Sequence, residues 1–140
     1  MKKIGVISML FILLFLAACQ MQTPPEVENN EDTEVVIYEF YGKGCPYCTK
    51  LNKWFNGVKP KYPALKVLQH EVYSNKTNHA FFQQMSKAYG KNAGGVPVIF
   101  IGEKRIVGFS PKIGEQIEAE IQSCLDTICP SPLDKIKTLK

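Results

Sequence analysis

Two cysteines, Cys45 and Cys48, stand three residues apart where an apolar strand gives way to a helix. That placement constrains the chain more than any other feature. Val35 to Tyr41 reads VVIYEFY, the β-branched and aromatic pattern of a strand. Gly42 to Gly44 interrupts it. Cys45 then opens a helical segment with Pro46 in the first turn, where a missing N–H costs nothing. Leu51, Trp54 and Phe55 recur at helical spacing, and Gly57 ends the run. A thiol at a helix N-terminus meets unpaired N–H groups and the positive end of the macrodipole, which favour its thiolate. A second thiol one turn inward can close a disulfide with the first but is shielded from outside partners. Exchange then runs through a mixed disulfide on Cys45 that Cys48 resolves. A zinc ribbon would need a second CxxC pair. A purely structural bridge over so short a loop would gain little unfolded-state entropy.

The remaining segments set the frame around this pair. Ala64 to Tyr73 contains a second strand, and Asn75 to Tyr89 a helix with Ala80, Phe81, Met85, Ala88 and Tyr89 as candidate core positions. Val96 to Gly102 is a third strand and Lys104 to Phe109 a fourth, joined as a hairpin at Gly102-Glu103. Pro111 starts a last helix to about Leu125, with Ile113, Ile117, Ile121 and Leu125 each four apart. The order β-α-β-α-β-β-α predicts an α/β domain. Its sheet has a parallel part and an antiparallel hairpin, with helices on both faces. The domain is expected over 34–129, with a short polar tail over 130–140.

The first 33 residues read differently. Met1-Lys2-Lys3 is a positive start, and Ile4 to Leu16 is apolar apart from Gly5 and Ser8. That run is short of the ~20 residues a spanning helix needs. Leu16-Ala17-Ala18-Cys19 follows and resembles the lipobox of bacterial lipoproteins. The resemblance implies a signal peptide over 1–18 and acylation of Cys19, which anchors the mature chain in a membrane. A plain secretory signal or an uncleaved anchor stays open as the alternative. Gln20 after the cysteine implies the outer membrane, facing the periplasm, if the source has two membranes. Residues 19–33, rich in acids and prolines with little to bury, are expected to be a flexible tether. From Glu34 onward, 15 Lys and Arg stand against 9 Asp and Glu, about +6 for the domain alone. No basic cluster accompanies that excess, and nucleic acid is excluded as a partner.

With strand, CxxC and helix in this order, the chain resembles the thioredoxin superfamily over Glu34 to about Leu125. Cys45-Pro46-Tyr47-Cys48 matches the CPYC motif of its glutaredoxins. Gly44 stands where the thioredoxin branch usually has Trp. The resemblance implies a thioredoxin-like fold with a mixed sheet of about four strands. It implies a cis bond at Val96-Pro97 facing the CxxC, where the Val96 backbone pairs with an extended partner segment. It also implies that Glu39, six residues before Cys45, is a buried proton relay; the alternative is a Glu on an exposed sheet edge. Pro46 and Tyr47 would flank the partner. The activity implied is thiol–disulfide exchange with no cofactor beyond the redox-active pair and no metal. No glutathione site is evident, and an exported location points to exported protein thiols or disulfides as substrates, with a membrane or soluble redox partner. The dipeptide between the cysteines tunes potentials over roughly −270 to −120 mV across such proteins, so the direction of exchange stays open.

Without Cys19, four cysteines remain, an even number for an oxidising compartment. Cys124 and Cys129 read either as a structural disulfide pinning the tail to the last helix or as a second redox pair that exchanges with Cys45–Cys48. His70 and His79 suggest no ligand set and read as structural or surface residues. Lys43 reads as a solvated neighbour of Cys45, and Trp54 and Phe55 as core. Three functions remain in view: an oxidoreductase acting on exported proteins, a non-catalytic binding module, and an electron carrier in a biogenesis pathway such as cytochrome c maturation.

Overall fold

The β-branched and aromatic run Val35–Tyr41 forms strand β1, and its alternation decides which side chains each face of the sheet receives. The structure is a computed structural model and describes residues 34–138. The expected signal peptide, Cys19 and the whole of the expected tether lie outside the described residues. After β1 come helix α1 (Pro46–Val58), a short 3₁₀ turn (Lys59–Lys61) and strand β2 (Leu65–Glu71). Helix α2 (Lys76–Ala88) leads to the β3 (Val98–Ile101) and β4 (Lys104–Val107) hairpin, and helices α3 (Pro111–Asp126) and α4 (Pro132–Lys137) close the chain.

The strand order is β2-β1-β3-β4. β1 and β2 are parallel, with Glu39 opposite Gln69 and Tyr41 opposite Glu71. A parallel pair needs a crossover, and α1 supplies it. β3 runs antiparallel to β1 with Ile99 opposite Glu39, and β4 returns antiparallel to β3. The hairpin turns at Gly102, whose φ of 49° a side chain would disfavour.

Each face of the sheet carries its own core. On one, Val35, Ile37, Ile99 and Ile101 meet Leu51, Phe55 and Val58 of α1 and Ile117 and Ile121 of α3. On the other, Tyr38, Phe40, Val98 and Phe100 meet Phe82 and Met85 of α2. Truncating one of the fully buried side chains, such as Leu51, removes ~2–5 kcal/mol. The expected thioredoxin-like arrangement of a four-strand mixed sheet under helices on both faces is present.

Two expectations need correction. Ala80 is exposed, and the buried position beside it is Phe82. α2 begins at Lys76 under an Asn75 cap, and the face it turns inward runs through Phe82, Met85 and Ser86. The segment expected as a polar tail instead forms α4. Pro132 is buried there, and Leu133 and Ile136 pack on the Tyr38–Phe40 core. An ion pair from Lys135 to Glu103 fastens α4 beside the hairpin turn. Two apolar residues three apart were too few to register as a helical stripe in the sequence.

Candidate active site

The site begins where β1 runs out of side chains. Gly42 is packed so closely under the ring of Tyr73 that a Cβ there would collide with it. Gly44 takes φ +80°, a left-handed turn that suits glycine, and the Cys45 N–H bonds back to the Gly42 carbonyl at 3.2 Å. This tight turn delivers Cys45 as the cap of α1. Its backbone is extended, Pro46 follows in the first turn, and its Sγ accepts the Cys48 N–H at 3.1 Å. A sulfur in that position meets one of the orphan N–H groups of the helix and its positive dipole end. Both favour a thiolate when the pair is reduced.

Cys45 and Cys48 are joined as a disulfide with Cα atoms 5.3 Å apart. Cys45 retains 8% of its surface and Cys48 2%, an asymmetry that offers Cys45 to a partner. The Cys45 Sγ lies 3.6 Å from the Val96 carbonyl oxygen, and the Val96–Pro97 bond is cis. The Gly108 N–H holds the Pro97 carbonyl at 2.8 Å, so the start of β4's exit loop braces the cis turn. Pro46 is exposed, and Tyr47 is 57% exposed with the Lys50 Nζ 5.6 Å from its ring centre. Lys43 projects to solvent.

Beneath this surface Glu39 is fully buried. Its Oε2 accepts the Gln69 amide at 2.7 Å, and its Oε1 has no partner. Burial raises its pKa above the usual carboxylate range, against the Gln69 hydrogen bond and the charge of Lys59, which pull it down. Glu39 shares its face of β1 with Val35 and Ile37, the face that α1 covers. It therefore sits under the helix that carries Cys48, and it is not on an exposed edge.

A second buried acid, Glu71, escaped the sequence reading. It ends β2 and accepts five donors: the N–H groups of Lys43, Tyr73, Ser74 and Asn75 and the Ser74 hydroxyl, at 2.6 to 3.3 Å. The Ser74 hydroxyl above all, and the backbone donors with it, hold its pKa down to about 2 despite burial. Through the Lys43 N–H, this carboxylate ties the turn before Cys45 to the loop before α2. The available signal was an acid at a strand end followed by Ser-Asn, which carries no distinct motif.

The other candidates stand apart. Phe55 is buried, whereas Trp54 is half-buried, packed on Phe109 and lining a groove of about 550 Å³ with Lys50 and Pro111. His70 stacks among Tyr38, Phe40 and Phe81 on the opposite face of the sheet, and His79 is exposed. Cys124 and Cys129 are bonded, and their sulfurs lie against Gly102 at the hairpin turn. Cys45 meets the other end of β3 at Val96, roughly 20 Å away at strand rise. Exchange needs sulfur-to-sulfur contact, so this chain does not bring its two pairs together. Among the described residues, no group of three or more His, Cys, Asp or Glu side chains gathers as a metal site would.

A glutaredoxin family model matches residues 35–106, from β1 through the hairpin, and so includes both redox cysteines and the cis turn. The chain belongs to the glutaredoxin family. No curated protein matches its sequence. Among solved structures, it is similar to a thiol:disulfide interchange protein, DsbE, from Chlorobium tepidum. Identity there is 21%, over 67% of this chain and 82% of that one, with a TM-score of 0.51. It is also similar to a periplasmic thioredoxin-like protein from Salmonella enterica serovar Typhimurium, at 15% identity over 69% and 87%, with a TM-score of 0.50. At such identities the likeness establishes the thioredoxin-like fold. Glutaredoxin membership and a CxxC pair at the head of α1 make this chain a thiol–disulfide oxidoreductase.

Proposed function

We propose that this glutaredoxin-family protein works outside the cytoplasm. It is anchored by lipid on Cys19 and exchanges disulfides with the cysteines of exported proteins. The observation that carries the reading is Cys45 at the head of α1, the more exposed residue of the pair, beside the Val96 carbonyl of the cis turn. Cys45 is the nucleophile. The Val96-Pro97 edge lies where an extended partner could add as a strand, and Pro46 and Tyr47 flank it. Cys48 resolves the mixed disulfide, and Glu39 exchanges the proton of Cys48. Cys124–Cys129 is a structural staple that holds the end of α3 against the hairpin. The export reading draws on the leader and Cys19. The interchange and periplasmic descriptions of the two similar structures agree with it.

A trapping experiment tests the reading. Cys48→Ser should accumulate mixed disulfides with exported proteins in the membrane fraction, and adding Cys19→Ser should move those complexes to the soluble fraction. Cys45→Ser should trap nothing and lose insulin reduction. Insulin reduction that survives Cys45→Ser would sink the assignment.

A further inference from the structure

Glu39 has a neighbourhood that its role as a proton relay does not by itself explain. Gln69 lies directly opposite it in the parallel β1–β2 pair, so both side chains project from the same face. The Gln69 Nε2 donates to the Glu39 Oε2 at 2.7 Å and also to the Asn52 Oδ1. Asn52 is on α1, four residues after Cys48 and therefore one turn along the same face of the helix. An amide NH₂ has two hydrogens, and here each meets an acceptor. A Gln69 turned the other way would set its carbonyl oxygen against two oxygens. With both neighbours accepting, the amide end of Gln69 faces the carboxylate. Gln69 is exposed and Asn52 half-buried, so this pair closes the only hydrogen-bonded route from Glu39 toward water among the described residues.

We propose that Asn52 and Gln69 are positioning residues: Asn52 orients the Gln69 amide, and Gln69 holds Glu39 as a carboxylate ready to accept the Cys48 proton. This rests on the reading of Glu39 as the relay. In the reductive direction, the partner disulfide is first opened by Cys45. The Cys48 thiol then passes its proton to Glu39, and the resulting thiolate attacks the Cys45 sulfur. The Cys45–Cys48 bond forms as the Cys45–partner bond breaks. The partner sulfur leaves as a thiolate and takes a proton from water. The protein pair loses two electrons and the partner gains them. Removing the Gln69 donor leaves Glu39 with both oxygens unpartnered in a dry site, which favours its neutral form. Other groups around it do not replace that donor. Lys59 acts from the end of α1 as a charge without a hydrogen bond. Ile99 opposite it on β3 is apolar, α3 brings Ile117 and Ile121, and Glu118 is taken up by Tyr62 and Lys61.

The test is the pH profile of insulin reduction by the full-length chain. Gln69→Leu should slow the reaction roughly tenfold on the acidic side, a fraction of the ~10²–10⁴ that a positioned acid–base group supplies. Its rate should approach that of the unaltered protein as pH rises. Asn52→Ala should move the profile the same way by less. In a Glu39→Gln background, Gln69→Leu should change nothing further, since the two act through one group. Circular dichroism of each variant establishes that the fold is kept. If Glu39→Gln alters the profile and Gln69→Leu does not, the clamp is overturned and the relay stands. If neither alters it, the relay falls and takes the clamp with it.

Discussion

Glu39 and Glu71 lie on adjacent parallel strands, two residues apart in register, and both have lost nearly all contact with water. They differ in the donors that meet them. Glu71 ends its strand, where the chain turns and presents successive N–H groups, and five donors converge on its two oxygens. Its charge is fully solvated by protein. Glu39 sits mid-strand, where backbone N–H groups are committed to the ladder. One side-chain amide reaches it, and one oxygen is orphaned. The same carboxyl chemistry is therefore a fixed anion at a strand end and a group pushed toward its neutral form in a strand interior. The contrast sets an acid with a lowered pKa beside the Cys45 turn and one with a raised pKa under the helix that carries Cys48.

The largest effect expected is at Glu71. Glu71→Ala strips four backbone N–H groups of their acceptor and frees the turn before Cys45. Its melting temperature should fall by several degrees, with slower exchange at Cys45. The pH dependence follows from the depressed pKa. Its folded value is about 2 against an ordinary 4.5, so the stabilisation is complete above 4.5 and is lost as pH falls toward 2. Melting curves of the unaltered and Glu71→Ala proteins should therefore be well separated at neutral pH and converge in acid. Curves that stay equally far apart in acid would mean that the carboxylate charge is not what holds the loop.

Glu39 should behave in the opposite sense. Its pKa is raised, so it weighs against folding once pH passes the unfolded value near 4.5, and more so as pH climbs through the folded value. Glu39→Leu should then gain ~1 kcal/mol or more at neutral pH in denaturant unfolding, as an orphaned buried oxygen is removed. The same substitution should slow insulin reduction. A stabler, slower enzyme is the signature of a group retained for chemistry. A destabilised one would make Glu39 structural, like Glu71.

The sequence could mark one of these acids and not the other, for a physical reason. Glu39 interrupts an apolar strand, and an anomaly of that kind is visible in a linear pattern. Glu71 gains its partners from backbone N–H groups of a loop and from Lys43, 28 residues away, which no side-chain pattern records. The strands, the CxxC helix and the hairpin were legible because alternation and helical spacing are local. Val96-Pro97 was legible through resemblance. α4 was not, since Leu133 and Ile136 acquire meaning only against Tyr38 and Phe40. The Asn52–Gln69–Glu39 chain joins a helix and two strands, and its members are ordinary polar residues until the register sets them side by side.

The smallest effect expected is at His70, and it decides how cleanly the Glu39 signal can be read. His70 lies between Gln69 and Glu71 on β2 but faces the other core, stacked with Tyr38 and Phe40. Its Nε2 is buried without a partner. Burial lowers its pKa, against an opposing hydrogen bond with Asn78. A base with a lowered pKa gives stability that is present above its unfolded value near 6.5 and is lost as pH falls below it. The Glu39 slope begins at 4.5 and runs upward in pH, the His70 slope begins near 6.5 and runs downward, and the two have opposite signs. His70→Phe should keep the aromatic packing and remove the histidine slope, changing the melting temperature by about one degree below pH 6.5 and by less above it. In that background, the fall in stability with rising pH belongs to Glu39 and should vanish with Glu39→Leu. If the slope below pH 6.5 is unaltered by His70→Phe, the aromatic face carries no titrating group, and the contrast between the two acids can be read from the unmodified protein.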